Sequence, residues 1–196
     1  MCRTEDSRLA LRKQYIGARE SIPPSLREAY SRCAVERIAA LPEFSAAHTV
    51  MLYRAVRGEL SLESLPLLPA SAGKRFAYPR CVGRNGLTAW IPGSWETGAF
   101  GIQEPATDTS EAVRPADIDL VICPGTAFDD LGTRLGMGGG SYDRVLPECV
   151  NAVFLMAAFE VQHAALLPRS ATDVSMNLIV TEAAVRRIRE RSLPCG

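Results

Sequence analysis

DLVICPGTAFDDLGTRLGMGGGSYDRVL, residues 119–146, opens with a short apolar run, Leu120-Val121-Ile122-Cys123, the pattern of a strand buried on both faces. Pro124-Gly125 ends the strand, and after a polar turn come Gly132, Gly136, Gly138, Gly139 and Gly140. Glycines at that density admit positive φ and carry no Cβ, so successive backbone N–H groups can converge on one anion. Residues 141–146 read as the first turns of a helix, whose free N-terminal N–H groups would point into the same space. Arg134 adds a cation with a fork suited to phosphate oxygens, and Asp143 a carboxylate of the kind Mg²⁺ takes beside phosphates. Together these parts describe a nucleotide-phosphate site. A glycine-rich strand-to-helix loop also serves as a bare tight connection, and it is the flanking Arg and Asp that tip the reading. Neither GxxxxGK[ST] nor a strand-flush GxGxxG is present.

The stretch resembles the signature of the 5-formyltetrahydrofolate cyclo-ligase family, whose bacterial members read approximately P-G-x-x-F-D-x-x-G-x-R-L-G-x-G-G-G-x-Y-D-R. Pro124, Gly125, Phe128, Asp129, Gly132, Arg134, Leu135, Gly136, Gly138, Gly139, Gly140, Tyr142, Asp143 and Arg144 all fit. Further matches spread over nearly the whole chain. Arg8 and Arg12 lie at the spacing of a Lys and an Arg that contact ATP in the family. Gly58-Glu59 matches a GE pair whose Glu contacts the folate, residues 100–105 match FGIxEP, and Val180-Thr181-Glu182 matches a V/L-T-E ending.

The resemblance implies one domain, residues 1–196, with an α/β three-layer Rossmann-like fold: a mainly parallel central sheet flanked by helices. It implies ATP- and Mg²⁺-dependent closure of 5-formyltetrahydrofolate to 5,10-methenyltetrahydrofolate, with ADP and phosphate released. By the same resemblance Arg134 and Tyr142 are catalytic. ATP falls to Arg8, Arg12, Arg134, Leu135, Gly136, Met137, Gly138, Gly139, Gly140, Ser141 and Tyr142. The folate falls to Arg54, Glu59, Glu104 and residues 137–141, and the metal to Asp143 and Asp173. Three positions depart from the family pattern. Arg8 stands for Lys, Thr172 for a frequent His, and Ser141 for an aromatic residue, which removes a stacking surface. Two other readings stand beside this one: a divergent relative acting on another ligand, and a nucleotide-binding protein without chemistry. Folate-dependent ATP hydrolysis separates the three.

Working outward, 196 residues suffice for one sizeable core. The 22 basic and 22 acidic residues balance, which leaves no overall field to attract nucleic acid or anionic lipid. No apolar run approaches the roughly 20 residues of a membrane span, and the charged N-terminus lacks a signal-peptide core. Six cysteines without CxxC or zinc spacing read as free thiols in a reducing cytoplasm. A monomer is expected.

Asp6-Ser7 caps a helix expected to run to about residue 20, with Arg8 and Arg12 on one face; without the resemblance that pair reads as a solvated basic face. Ser25 and Glu28 form a capping box for a second helix, which Pro42 ends. Residues 49–53 read as a buried strand, with Arg57-Gly58-Glu59 leaving its C-terminal end, where open α/β sheets bind ligands. Glu59 would equally cap a helix over residues 62–68. Strands are expected over 74–79 and 87–91 around the Asn85-Gly86 turn, with Trp90 and Trp95 assigned to core packing over ligand stacking. Residues 105–115 read as a surface loop. Beyond the glycine loop the pattern gives strands over 152–159 and 176–181, a short helix over 161–167 ended by Pro168, and a basic helix over 183–191. Asp173, in the loop before the last strand, is by itself an ordinary turn residue.

Overall fold

The computed structural model describes residues 2–83, 86–98 and 101–188. Three helices come first: α1 (Cys2–Glu20), α2 (Pro24–Ala39) and α3 (Pro42–Ala46). Next are β1 (Thr49–Met51), β2 (Arg75–Val82), β3 (Gly86–Ile91), β4 (Trp95–Thr97), β5 (Gln103–Pro105), β6 (Glu111–Val113) and β7 (Leu120–Cys123). The chain continues through β8 (Ala127–Phe128), β9 (Arg134–Leu135), α4 (Ser141–Val145), β10 (Val153–Ala157), β11 (Leu178–Val180) and β12 (Val185–Arg187).

The main sheet has eight strands in the order β12-β11-β10-β7-β1-β2-β3-β6. The five from β11 to β2 are parallel, while β12, β3 and β6 are antiparallel additions at the two edges. β7 lies between β1 and β10, so both its faces are covered. Leu120 and Ile122 pack on one side with Val35, Ile38 and Phe44 from α2 and α3. Val121 and Cys123 pack on the other with Val145, Leu146 and Cys149. That period-two division gives the three layers. Leu120, Val121 and Ile122 are fully buried, each worth about 1.5–3 kcal/mol over exposure. Register is set early: Asp119 Oδ2 accepts the N–H groups of His48 at 2.9 Å and Thr49 at 2.8 Å, which aligns β1 with β7. No helix among the described residues is long and apolar enough to cross a membrane.

Several local expectations give way. α1 starts at Cys2, ahead of the expected Asp6-Ser7 cap. The Ser25–Glu28 box does not form, because Pro24 takes the first helical position and Pro23 the cap. Pro42 opens α3 instead of ending α2, for the same reason. The helix over 62–68 is replaced by two 3₁₀ turns, Leu65–Leu67 and Pro69–Ser71, since Pro66 and Pro69 have no N–H to continue an α-ladder. The 105–115 run contains β6, which pairs with β3. Of the helix over 161–167 only the turn Glu160–Gln162 exists. The following backbone is spent elsewhere: Ala164 N–H donates to Phe128 O, and Leu167 N–H to the Asp129 carboxylate. Where a basic helix is expected over 183–191, the chain forms the edge strand β12 (Val185–Arg187); residues 189–191 lie outside the described set. Pairing with the open edge of β11 and burial of Ile188 against the core outweigh helix propensity there. Asn85 of the expected turn also lies outside the described residues.

Candidate active site

The chain leaves β7 through Pro124-Gly125. A Cβ at Gly125 would fall 2.4 Å from Met156 Cε and 3.1 Å from Arg134 Cγ, so glycine there makes room for the Arg134 stem. The Arg134 side chain is only 3% exposed. It donates from Nη2 to Asp143 Oδ1 at 2.9 Å and from Nη1 to Pro124 O at 3.4 Å, and its guanidinium carbon lies 5.6 Å from the Tyr142 ring centroid. Arg134 is therefore a buried cation already neutralised by Asp143, with Nε left without a partner.

The glycine loop between β9 and α4 is the cradle. Gly138 has φ 108° and Gly140 φ 65°, conformations that L side chains avoid. Among the described residues no backbone N–H from residue 136 to 141 donates a hydrogen bond. Two loop carbonyls, by contrast, are held by arginine side chains. Arg12 Nε donates to Gly136 O at 3.0 Å, and Arg144 Nη2 donates to Gly139 O. Carbonyls taken up by arginines and amides left over give a site with donors to spare for an anion.

α1 lies alongside, packing Leu11 and Tyr15 on Ala127, Leu135, Ala164 and Leu167. Arg8, Arg12 and Arg19, at i, i+4 and i+11, lie within one face of this helix. Arg8 forks onto Asp173 at 2.7 and 3.2 Å. Arg19 is fully buried and reaches Glu59, Arg57 O and Gly125 O.

Two hollows meet on the loop. A cavity of about 230 Å³ is lined by Tyr53, Arg54, Val56, Glu59, Pro79, Cys81, Leu87, Ile102, Glu104, Arg134, Met137, Ser141 and Tyr142, among others. A polar groove of about 750 Å³ is lined by Arg8, Arg12, Arg144, Arg169, Ser170, Thr172 and Asp173. Gly136, Gly139, Gly140 and Asp143 belong to both. The cavity is mostly apolar with a few buried polar groups, the usual make-up of a small-molecule pocket.

The polar groups in and around the two hollows are tuned by burial. Burial raises the Glu59 carboxyl, and Arg19, the Val56 N–H and Arg57 work against it. The Tyr142 hydroxyl is buried with no hydrogen-bond partner, and burial raises its pKa well above the ordinary tyrosine value, so it stays a neutral phenol. Burial and the Glu104 carboxylate push the Cys81 thiol up to about 11; burial pushes Cys123 up to about 12. At Asp173 burial opposes charge, but hydrogen bonds from Arg8 and Ser170 outweigh it and hold the carboxyl below its ordinary value.

Most of the expected residues converge. Arg8, Arg12, Asp143, Asp173 and the glycines line the groove; Arg54, Glu59, Glu104, Arg134, Met137, Ser141 and Tyr142 line the cavity. Leu135 does not. Its side chain is buried in the small cluster under α1, facing Ala127 and Leu167. Trp95, expected in the core, is 38% exposed, with Arg54 stacked over it at 5.0 Å and Tyr78 edge-on at 5.0 Å. Reasoning from sequence missed Arg19, Tyr53 and Cys81; of these only Arg19 left a signal, its place on the face of Arg8 and Arg12.

Among the described residues no three His, Cys, Asp or Glu side chains are grouped to hold a metal by themselves. Both contacts of Asp143, from Arg134 and from the Val174 N–H, go to Oδ1. That suits a single carboxylate serving Mg²⁺ whose other ligands are water and phosphate. Asp173 fits less well, because Arg8 and Ser170 engage both of its oxygens.

The model of the 5-formyltetrahydrofolate cyclo-ligase family matches residues 4–182. The chain is 36% identical to the Aquifex aeolicus 5,10-methenyltetrahydrofolate synthetase whose NMR structure is known, with a TM-score of 0.82 over 95% of each chain. It is 29% identical over 174 residues to the 5-formyltetrahydrofolate cyclo-ligase of Escherichia coli strain K12, covering 85% of this chain and 96% of that one. The enzyme of that name from Mycolicibacterium smegmatis is 27% identical over 187 residues, covering 89% and 93%.

Proposed function

The chain belongs to the 5-formyltetrahydrofolate cyclo-ligase family, and from that premise we propose that it closes 5-formyltetrahydrofolate to 5,10-methenyltetrahydrofolate at the expense of ATP. The observation that carries this reading is the sharing of one glycine loop by two unlike hollows. A phosphoryl group bound on the loop from the groove lies next to whatever occupies the cavity.

The chemistry explains why such a junction is needed. A formamide oxygen is a poor leaving group, so ring closure first requires its activation. The formyl oxygen attacks the γ-phosphorus, the bond from phosphorus to the ADP oxygen breaks, and ADP leaves. N10 then adds to the imidate carbon, loses its proton, and the C–O bond breaks to release phosphate and the methenyl bridge. Catalysis of such a transfer is mainly positioning and charge neutralisation. The unengaged loop amides receive the phosphoryl oxygens. Arg134 supplies a desolvated cation at the same point, and Arg8 and Arg12 bind the rest of the nucleotide in the groove. Glu59, Glu104 and the Tyr142 hydroxyl offer buried polar contacts to the folate, with Arg54 as a flat cover at the cavity wall. Mg²⁺, where bound, would add charge neutralisation at the phosphates, and Asp143 is the residue best suited to hold it, joined by Asp173 once Arg8 turns to a phosphate. The half-buried thiol of Cys81 and the buried thiol of Cys123 are protonated at neutral pH and take no part.

The test is the appearance of methenyltetrahydrofolate absorbance from 5-formyltetrahydrofolate with and without ATP. Product only with ATP, and one ADP for each product, is the expected result. ATP hydrolysis that ignores the folate, or nucleotide binding without turnover, would replace this reading with a different substrate or a binding role.

A further inference from the structure

Arg19 lines neither hollow, yet it is a fully buried cation that reaches the walls of the cavity. Its side chain is 0% exposed and that of Glu59 is 7% exposed, with Nη1 3.6 Å from Glu59 Oε1. The same guanidinium donates to Gly125 O at 3.3 Å and to Arg57 O at 2.9 Å. Each contact fixes a different part of the active site. Gly125 opens the segment leading to the phosphate loop, and its carbonyl is also held by Gln162 Nε2 at 2.8 Å. Arg57 has φ 48°, a left-handed conformation costly for a residue with a Cβ, and it begins the turn that presents Glu59. The Glu59 carboxylate accepts the Val56 N–H at 3.1 Å, so it is braced from its own turn and from α1.

We propose that Arg19 is the positioning residue of the ligand cavity: its ion pair holds Glu59 aimed inward, and its bond to Gly125 ties the cavity wall to the phosphate loop. The proposal rests on the reading of that cavity as the folate pocket. The charge balance around Glu59 supports it. From its own turn Glu59 faces Arg57; from the chain beyond β1 it faces Tyr53, and from α4 Tyr142, both neutral phenols raised by burial. On α1 the neighbour of Arg19 is Glu20. On the α2 side Glu59 borders a shallow hollow with Arg27, Glu28, Arg32 and Glu63. Of these cations Arg19 alone forms an ion pair with Glu59 among the described residues. A buried carboxylate deprived of its cation takes up a proton in place of bearing an unpaired charge.

The sign of the effect follows. Burial already raises the Glu59 carboxyl and Arg19 works against that rise, so without Arg19 it rises further and protonation is favoured as the pH falls. In Arg19→Met the KM for 5-formyltetrahydrofolate should exceed the parent's by about tenfold or more at the acid end of the assay range and approach it as the pH rises. The KM for ATP should show no such recovery. Arg19→Lys, which keeps the charge, should follow the parent profile. Because Arg19→Met leaves a buried charge unpaired, a ligand-free cycle accompanies it: thermal unfolding of parent, Glu59→Gln, Arg19→Met and the double variant. The double variant should melt higher than Arg19→Met. A double variant melting at or below Arg19→Met overturns the proposal, whatever the protein acts on. So does an Arg19→Met profile that runs parallel to the parent's. If the parent shows no saturable folate dependence, the substrate reading fails while the melting cycle still decides the Arg19–Glu59 coupling.

Discussion

Tyr142→Phe removes one oxygen atom, and the structure gives its effect opposite signs in the free and loaded protein. In the free protein the hydroxyl is buried beside the cavity without a hydrogen-bond partner. A buried unsatisfied hydroxyl costs about 1–3 kcal/mol, a cost that deletion to Phe at unchanged shape removes. The variant should therefore be as stable as the parent or up to a few kcal/mol more stable. In a chain of this length, 1 kcal/mol corresponds to a rise in Tm of about 2–4 °C. With folate bound the hydroxyl finds its partner, so the variant forfeits both that hydrogen bond and the relief of the unmet group. A loss of about 1–3 kcal/mol in binding is roughly a 5- to 140-fold weaker Kd at 1.4 kcal/mol per tenfold. The nucleotide, seated in the groove, should bind unchanged. Because burial keeps the phenol neutral, the loss should not vary with pH between about 6 and 9. Calorimetric titration with folate and with ATP, beside a melting curve, provides all three readouts. A less stable variant with undiminished folate affinity would show that the hydroxyl serves the fold alone, and would refute the reasoning.

Arg134→Ala should raise the barrier to turnover by about 2–4 kcal/mol, since it removes the desolvated cation at the loop and strands Asp143; unchanged kcat and KM for ATP would remove Arg134 from the site. Asp143→Asn should lower turnover at limiting metal and recover in part at high Mg²⁺. A magnesium titration overlaying that of the parent would leave Asp143 as the partner of Arg134 and nothing more. Ser141 is half-buried on the cavity wall, and an aromatic ring there would add about 0.5–1.5 kcal/mol of stacking. Ser141→Tyr should therefore tighten folate binding by up to about tenfold with ATP binding unchanged, whereas a loss of folate affinity would point to a cavity shaped for another ligand.

The central strands were legible because their burial is local and complete. Val50 and Met51 in β1, like Leu120 to Cys123 in β7, have apolar neighbours on both faces, and no tertiary detail alters that. The glycine loop was legible for a related reason, as its positive φ values demand the residue that the sequence displays. What escaped was decided by partners distant in sequence. Val185 and Ile188 sit in a run that reads as a basic helix, and only the open edge of β11 makes them a strand. Pro24 and Pro42 open helices where a capping box and a helix end were expected, because proline serves a first turn as readily as it stops a last one. Arg19 looks like any surface arginine until Glu59 and Gly125 close over it. In the same way, the pairing of Arg8 with Asp173 and of Arg134 with Asp143 joins residues 165 and 9 positions apart. Assigning the arginines to nucleotide and the aspartates to metal does not anticipate that they neutralise one another.

The account stands on the transfer of the formyl oxygen to phosphorus where cavity and groove meet. That transfer is read most directly with 5-formyltetrahydrofolate labelled with ¹⁸O in the formyl group, turned over with unlabelled ATP in unlabelled water. Mass analysis of the released phosphate should find one ¹⁸O per molecule, carried over from the formyl group. Unlabelled phosphate formed alongside methenyltetrahydrofolate, with the label lost to water, would contradict a phosphorylated intermediate and with it the role assigned to the glycine loop.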